Sequence, residues 1–287
     1  MKSIILITAF AIVNGICFGQ TDTITGEAST DTQAKSTLTL AGVYSNNASY
    51  YGQKAETNLP YVAFAANYHL KSGFYFTAQT FKLLNENTST VSAASLGAGV
   101  NFKLGPKLTT DLSYSHSFYP EYSPMLQAAN LDNASISLSY DSWIKPTITG
   151  DYAFGKANDA FVTGSLSKVI NLFSTGKKDI ITISPSADLV AGTQHFYQTY
   201  VTQQKIRDSV LGILPNPIFG SSPSEHVDTV ATTAFNILSY NLKIPFAYNR
   251  AHYSVEAAYQ LSFLSAKSQS DAGKINSFFT LSFYYQF

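Results

Sequence analysis

The chain has 287 residues, and its 18 basic and 18 acidic residues give a formal net charge of zero. A balanced charge excludes an extended basic surface, so we expect no nucleic-acid partner. Charged residues make up 13% of the sequence, which is about half the usual share. Aromatic residues are abundant at 14%, with 19 Tyr and 20 Phe.

The N-terminus has the pattern of a secretory signal peptide. Lys2 precedes the apolar run IILITAFAIV, and the residues NGICFG then lead to a polar segment. A positive start, an apolar middle and small residues before a polar position predict a signal peptide over 1–19, with cleavage after Gly19. A membrane anchor stays an alternative, although the run is short for one. Lipidation of Cys17 is another, although Ile16 is larger than a lipobox residue at that place; cleavage after Gly19 would remove this only cysteine.

The next feature is a polar segment at 20–34, which we predict to be a flexible periplasmic lead-in. Beyond it, apolar and polar residues alternate in segments of roughly ten, separated by turn signals. No stretch after the signal peptide has the ~18 consecutive apolar residues of a membrane helix. Only helices and closed barrels pair every backbone polar group within lipid. We therefore predict that 35–287 is an all-β transmembrane barrel, antiparallel and up-and-down, with about twelve strands.

The outward, apolar faces of these strands can be followed in chain order. They cover Leu38–Tyr44, Val62–Leu70, Phe74–Ala78, Ala94–Leu104, Leu108–Tyr114, Ile136–Tyr140, Ile148–Phe154, an eighth strand near 160–171, Ile181–Leu189, Leu238–Phe246, Tyr253–Phe263 and Phe279–Phe287. The eighth strand is the least regular, because neither of its faces is uniformly apolar.

The connections between the predicted strands alternate in length. Tight links follow strands two, four, six and ten, and a moderate link follows strand eight. Longer links follow strands one, three, five, nine and eleven, and the link after strand seven, GKAND, is the one short exception. Short turns on one side and long loops on the other are typical of outer-membrane barrels. A soluble sandwich or barrel, which stays the alternative, has no reason to show this asymmetry.

The last strand, SFFTLSFYYQF, alternates up to the final residue, with Phe283, Tyr285 and Phe287 on the expected outward face. This pattern resembles the C-terminal signal of Gram-negative outer-membrane β-barrel proteins, whose assembly machinery reads a last strand that ends in an aromatic residue. The FGQT cleavage region resembles signal peptides of Bacteroidota. The resemblance implies a location in the outer membrane, with outer-membrane lipid and the assembly machinery as partners, and it implies no particular activity.

The residues that alternate with the apolar faces are expected to line the interior, and most of them are small and polar. Because barrels of about eight strands are filled and those of about sixteen enclose a channel, short side chains favour a narrow, wet lumen here. The candidate luminal charges are Asp111, Asp151, Asp188 and Glu256, with Lys103, Lys145 and Lys243 nearer the short turns. Two interpretations stay open: a throat that favours cations, or a network of paired charges that braces the wall.

The longest connection runs from about 193 to 230. Its start, GTQHFYQTYV, still alternates, which predicts that the ninth strand rises beyond the membrane. The later run VLGILPNPIFG is an apolar island with two prolines. It is a candidate to cover the mouth of the barrel or to contact a partner.

Signs of catalysis are few. Within SYSH, alternation places Ser113 inside the barrel and His116 outside, and the sequence offers no evident residue to orient the histidine. The SEHVD stretch, with Glu225, His226 and Asp228, is a weak candidate for metal binding. Nucleotide-binding and hydrolase motifs are missing from the sequence. We therefore predict no catalytic residue, metal or cofactor.

The sequence thus favours a narrow channel for small polar solutes or ions. The alternative is a non-conducting barrel whose loop at 193–230 binds a partner or a surface glycan. An outer-membrane hydrolase that acts on lipid is the weakest of the three classes.

Overall fold

The structure is a computed structural model that describes residues 35–86, 90–120, 123–176, 178–202, 234–268 and 275–287. The predicted signal peptide at 1–19 and the polar segment at 20–34 lie outside the described residues. So do the apolar island of the long loop and the SEHVD stretch.

Fourteen strands and little helix make up the described chain. The strands are β1 (Thr37–Ser45), β2 (Tyr61–His69), β3 (Phe74–Leu83), β4 (Ala93–Lys103), β5 (Leu108–Phe118), β6 (Asn130–Tyr140), β7 (Lys145–Gly155), β8 (Asp159–Ser167), β9 (Ile170–Phe173), β10 (Asp179–Ile183), β11 (Ser186–Gly192), β12 (Asn236–Arg250), β13 (Tyr253–Leu264) and β14 (Ile275–Gln286). A 3₁₀ turn covers Leu126–Ala129, and residues 195–202 are helical. Within the described ranges, no helix has the length and apolar character needed to span a membrane.

These strands form one closed sheet. From β1 to β8 each strand pairs antiparallel with the next, and β14 pairs with β1, so that Gly42 lies opposite Phe283. The ring closes where β11 pairs with both β8 and β12. The pairing of β9 with β10 continues the pairing of β8 with β11. β8 and β9 therefore count as one strand of the barrel wall, and β10 and β11 count as another. The prediction of a closed, antiparallel barrel of twelve strands is confirmed.

An apolar belt surrounds the barrel. Large outward side chains remain strongly exposed, for example Phe64 at 66% and Leu96 at 57%. Similar residues follow one another on every side, from Phe76 on β3 through Ile148 on β7 to Tyr259 on β13. A soluble protein rarely exposes a contiguous apolar surface of this extent, whereas lipid requires one. The soluble alternative is therefore excluded.

The two ends of the barrel differ in their connections. Short links at 70–73, 104–107, 141–144, 174–178 and 251–252 lie at the end that also holds the start of β1 and the end of β14. We call this the turn end, and we call the opposite end the loop end, because it carries the longer links, with the short link at 156–158 as the exception. The predicted alternation of link lengths agrees with this arrangement.

One outward face was predicted incorrectly at its loop end. Leu238 on β12 was expected to contact lipid, but it is fully buried inside the barrel, and Ile237 is exposed in its place. The cause is a register shift: Val190 pairs with Ser239 and Ala191 pairs with Ile237, so β12 carries one extra residue. Such a bulge turns the unpaired side chain to the other face.

The long loop also begins differently from the prediction. The ninth strand does not rise beyond the membrane, because β11 ends at Gly192 and a helix occupies 195–202. The Asp159 carboxylate accepts hydrogen bonds from the backbone N–H groups of His195 at 2.7 Å and Phe196 at 2.8 Å. A carboxylate that binds the first N–H groups of a helix stabilises that end, which explains why the strand gives way to a helix here.

Candidate functional site in the barrel lumen

The segment 46–60, which joins β1 to β2, folds into the loop end of the barrel, and we call it the plug. Tyr50, Tyr51 and Gln53 within it are buried. Its anchor points lie on strands from different sides of the barrel, so the plug crosses the lumen. From the sequence alone, this segment was predicted only to be a long loop.

Hydrogen bonds attach the plug to the wall. The Tyr50 hydroxyl donates to Asn130 Oδ1 on β6 at 2.9 Å. The Ser239 hydroxyl on β12 donates to the Tyr51 carbonyl at 2.8 Å, and Asn276 Nδ2 on β14 donates to the carbonyl of Gly52 at 3.2 Å. Burial, and then the nearby Asp159 carboxylate, raise the pKa of the Tyr50 phenol well above its usual value, so this donor keeps its proton.

The backbone of the plug needs a glycine at its closest approach to the wall. Tyr51 has a φ of 52° and Gly52 has a φ of 83°, in the left-handed region that favours glycine. A Cβ atom on Gly52 would lie 2.5 Å from Asn241 Oδ1 and 2.7 Å from Ser239 Oγ. Any side chain at this position would therefore displace the plug from the wall of β12.

Aromatic contacts complete the closure. Tyr51 stacks on Phe161 of β8 with ring centroids 3.8 Å apart. Tyr50 meets Phe196, from the helix at 195–202, edge to face at 4.9 Å. Met125 and Leu126 belong to the same buried cluster. The plug, the 3₁₀ turn and the helix together fill the loop end of the lumen with an apolar core.

Between the plug and the turn end the interior is different. Along β4–β8, β11 and β12, many inner residues are small or polar and keep part of their surface exposed. They include Gly97, Gly99, Ser113, Ser135, Ser137, Thr147, Thr149, Thr163, Ser165, Asp188 and Lys243. Across the barrel, the inner residues of β1–β3, β13 and β14 are mostly buried. A polar space that solvent can reach therefore lies against the first group of strands, and we call it the vestibule.

The predicted luminal charges all lie on the inner face of the wall. Asp111, Asp151, Glu256 and Lys145 are buried, Asp188 and Lys243 are half-buried, and Lys103 is exposed near the turn end. Lys243 attracts Asp188 and Glu256 only at longer range. Asp111 and Asp151 are bound by neutral donors.

Asp111 and Asp151 show how these neutral donors act. The Tyr75 hydroxyl donates to Asp111 Oδ1 at 2.8 Å, and Asn133 Nδ2 donates to Asp151 Oδ1 at 3.4 Å. Tyr75 is an inward aromatic residue among small ones, and its contact with Asp111 was not predicted from the sequence. It has room there because Gly99 on the next strand has no side chain, and a Cβ atom at Gly99 would lie 2.3 Å from the Tyr75 ring.

The structure brings His116 together with an acidic partner that sequence reasoning missed. His116 Nδ1 lies 2.7 Å from Asp132 Oδ1, and the Tyr114 hydroxyl donates to the same oxygen at 2.5 Å. Asp132 follows His116 by sixteen residues and becomes its neighbour only through the pairing of β5 with β6. Ser113 and Ser115 lie on the inner face of the same strand, so neither serine can reach this histidine. Among the described residues, no cluster of three His, Cys, Asp or Glu could hold a metal ion.

The predicted assembly residues lie on the outer face of β14. Phe283, Tyr285 and Phe287 are exposed in the apolar belt. The backbone N–H of Phe287 donates to the Leu38 carbonyl at 2.9 Å, so the last residue still pairs with β1. The final residues of the chain therefore take part in closing the barrel.

No protein-family model matches this sequence, and no curated protein is significantly similar to it. Solved structures resemble its fold. The KdgM porin is 6% identical, with 88% of this chain and 99% of that chain covered and a TM-score of 0.47. LpxR from Salmonella typhimurium is 8% identical, with 86% and 99% covered and a TM-score of 0.48. The COG4313 outer membrane channel from Pseudomonas putida F1 is 11% identical, with 93% and 100% covered and a TM-score of 0.42.

At these identities the likeness concerns the barrel fold alone. The features of the molecule itself assign its class: a closed antiparallel sheet, an apolar belt around it, a polar interior, and turns and loops segregated to opposite ends. Together they define a transmembrane β-barrel of the outer-membrane type.

Proposed function

We propose that the chain forms a narrow outer-membrane channel for small polar solutes or ions, with the plug closing its outer mouth. The vestibule is the observation that carries this proposal. A barrel with a purely structural role has no need for a solvent-accessible interior lined by serine, threonine and glycine. Hydrated solutes need such a lining, because their polar groups require partners inside the membrane.

The proposed orientation places the turn end in the periplasm and the loop end outside the cell. It follows the rule that outer-membrane barrels have short periplasmic turns and longer outer loops. In this proposal the chain is exported by a cleaved signal peptide at 1–19 in a Gram-negative bacterium, of the Bacteroidota by its leader. The assembly machinery then reads the aromatic end of β14 and inserts the barrel into lipid.

Passage through the channel requires the plug to move. Each of its hydrogen bonds to the wall contributes about 1 kcal/mol net. Its polar attachments are thus weak individually, and the stacked pair Tyr51 and Phe161 adds apolar contact. A plug attached by a few contacts can be released by changing one of them, whereas the strands around it remain paired.

The experiment that tests this proposal compares two glycine variants in planar bilayers. Gly52→Val pushes the plug away from Asn241 and Ser239, while Gly105→Val is the matched control, because nothing lies within 4 Å of a Cβ atom at Gly105. We expect Gly52→Val to increase conductance above the wild-type level and Gly105→Val to match the wild type. Heat-modifiable gel migration verifies that each barrel is folded. Folded proteins that never conduct, with or without the substitution, would overturn the channel.

The alternative is a non-conducting barrel whose loop at about 193–230 binds a partner or a surface glycan. The packing of Phe196 against Tyr50 favours it, because the start of that loop is fixed to the plug rather than free. A barrel that stays closed in the Gly52→Val variant would support this alternative. A function in lipid hydrolysis has least support, since the pair His116 and Asp132 has no serine beside it on the outer face.

A further inference from the structure

A carboxylate lies on the lipid-facing side of the barrel wall. Asp132 of β6 points outward, and the outward residues that follow it on the same strand are Ala134, Ile136, Leu138 and Tyr140. A charged group that faces hydrocarbon is costly, so an ionisable side chain on such a surface is a candidate functional site. Asp132 therefore needs an explanation that its apolar neighbours on β6 do not supply.

Two side chains of β5 hold this carboxylate, and we call Tyr114, His116 and Asp132 the outer cluster. The hydrogen bonds from His116 Nδ1 and from the Tyr114 hydroxyl both end on Asp132 Oδ1, which leaves Oδ2 able to accept from a ligand. A carboxylate only accepts hydrogen bonds, so the imidazole proton lies on Nδ1 in this pair and Nε2 can accept another. The imidazole remains accessible, because the His116 side chain is 38% exposed.

Aromatic rings flank the outer cluster on both sides. Phe118 of β5 meets the His116 ring edge to face, with ring centroids 4.6 Å apart. On β7, Phe154 lies opposite Asp132, and its ring stacks on Tyr152 at 5.6 Å. A sugar ring has apolar faces of C–H groups and an edge of hydroxyl groups. Aromatic rings suit the faces, and the acceptor atoms of the outer cluster suit the hydroxyls.

The outer cluster also lies at the level of the lipid headgroups. β5 ends at Phe118, and His116 is two residues, or about 7 Å along the strand, from that end. A transmembrane strand crosses an apolar band about 25 Å tall and meets the headgroup layers at its two ends. The cluster is therefore near the loop end of the apolar belt and not at its middle. In the proposed orientation this layer belongs to the outer leaflet.

We propose that the outer cluster binds the saccharide headgroup of a glycolipid in the outer leaflet. Sugar hydroxyls donate to Asp132 Oδ2 and His116 Nε2, and Tyr114 is the positioning residue that fixes the carboxylate. A headgroup that consists of a phosphate alone has few hydroxyl donors and is repelled by the Asp132 carboxylate. The site faces lipid and is separate from the vestibule. Only the choice of leaflet rests on the proposed orientation of the channel.

Native mass spectrometry of the folded protein in a polyoxyethylene detergent, titrated with diglucosyl diacylglycerol, tests the site. We expect Asp132→Asn to bind this glycolipid about tenfold more weakly than the wild type, because a hydrogen bond to a charged group is lost. Tyr114→Phe should cause a smaller loss. The matched control is Asp179→Asn, since Asp179 also accepts a hydrogen bond from a tyrosine, Tyr248, but lies at the turn end. This control should bind like the wild type.

Equal glycolipid affinity in the wild type and in Asp132→Asn would overturn the proposal. Should Asp132→Asn fail to fold by heat-modifiable migration, His116→Phe keeps the carboxylate, removes Nε2 and should still weaken binding. Titrations with phosphatidic acid and with phosphatidylethanolamine test the headgroup, and binding as tight as that of the glycolipid would overturn the saccharide assignment. Binding in detergent requires neither ion flow nor a membrane orientation. A protein that binds the glycolipid and never conducts would therefore reject the channel and keep this site.

Discussion

Tyr51 of the plug lies flat against Phe161 of β8, with ring centroids 3.8 Å apart and an angle of 19° between the rings. This stack joins a loop to the barrel wall on the side opposite the strands from which the loop departs. Through this contact, the plug inside the lumen becomes part of the folded core of the barrel. The closure of the proposed channel and the stability of the loop end therefore depend on the same contact.

Phe161→Ala should weaken both properties. Removing a buried phenylalanine from a packed core costs about 3–5 kcal/mol, and here the loss falls on the plug as well as on β8. We expect a lower free energy of unfolding in lipid vesicles together with a higher conductance. Tyr152→Ala on the neighbouring strand is the control, because Tyr152 faces lipid and does not contact the plug. An increase in conductance in the control alone would contradict the assignment of the stack as the closure.

Tyr50→Phe tests the polar attachment of the plug. The substitution leaves Asn130 Oδ1 buried without its donor, which costs about 1–3 kcal/mol. We expect shorter closed times in single-channel recordings, together with a modest loss of thermal stability. Tyr44→Phe, on the lipid face of β1, provides the same chemical change away from the plug. Equal gating in both variants would show that the Tyr50 hydroxyl does not hold the plug.

Leu112→Arg and Ser113→Arg test which residues of β5 face lipid. Leu112 is exposed in the apolar belt, whereas Ser113 lies in the vestibule. An arginine near the bilayer midplane costs about 2–4 kcal/mol on the lipid face and less in the lumen. Unfolding in lipid vesicles should therefore show the larger loss for Leu112→Arg. The reverse order would mean that the register of β5 is wrong by one residue.

Phe287→Asp should lower the yield of folded barrel. The aromatic ring ends the strand that pairs with β1, and a charge at this exposed position degrades the proposed assembly signal. Heat-modifiable migration of membrane fractions measures the folded share. Gln286→Asp adds the same charge one residue earlier on the other face, and we expect it to assemble normally. Undiminished assembly of Phe287→Asp would contradict the role of the terminal residue.

Replacing Asp111, Asp151 and Glu256 together by Asn, Asn and Gln should reduce cation preference and leave the barrel folded. The neutral side chains of Tyr75 and Asn133 donate hydrogen bonds to Asp111 and Asp151, and the oxygen of an asparagine amide can accept the same bonds. Reversal potentials under a salt gradient measure the preference, and thermal unfolding of the same samples measures stability. A strong loss of stability with no change in selectivity would favour the bracing network instead.

Local patterns in the sequence were sufficient for the wall of the barrel. The period of two in segments such as Tyr253–Phe263 assigns each side chain to lipid or lumen, because successive residues of a strand point to opposite faces. Turn signals separate the strands, and lipid permits only a closed sheet. The strand count, the faces and the inner position of Asp111 and Glu256 all follow from these short-range rules.

Local sequence patterns do not predict structural features that depend on the pairing of strands far apart in the sequence. The bulge that turns Leu238 inward depends on its register with β11, and the helix at 195–202 depends on Asp159, a residue of another strand. His116 gains Asp132 only across the ladder of β5 and β6.

The sequence by itself thus determined a membrane barrel with a polar inner face, because alternation is a property of each strand alone. Whether that interior is open was decided by tertiary structure. In the sequence, the segment with Tyr50, Tyr51 and Gly52 resembles an ordinary loop. Its role as a plug is apparent only from its contacts with three separate strands, through Asn130, Phe161 and Ser239. No local pattern predicts these contacts, since they join the plug to strands that lie far from it in the sequence.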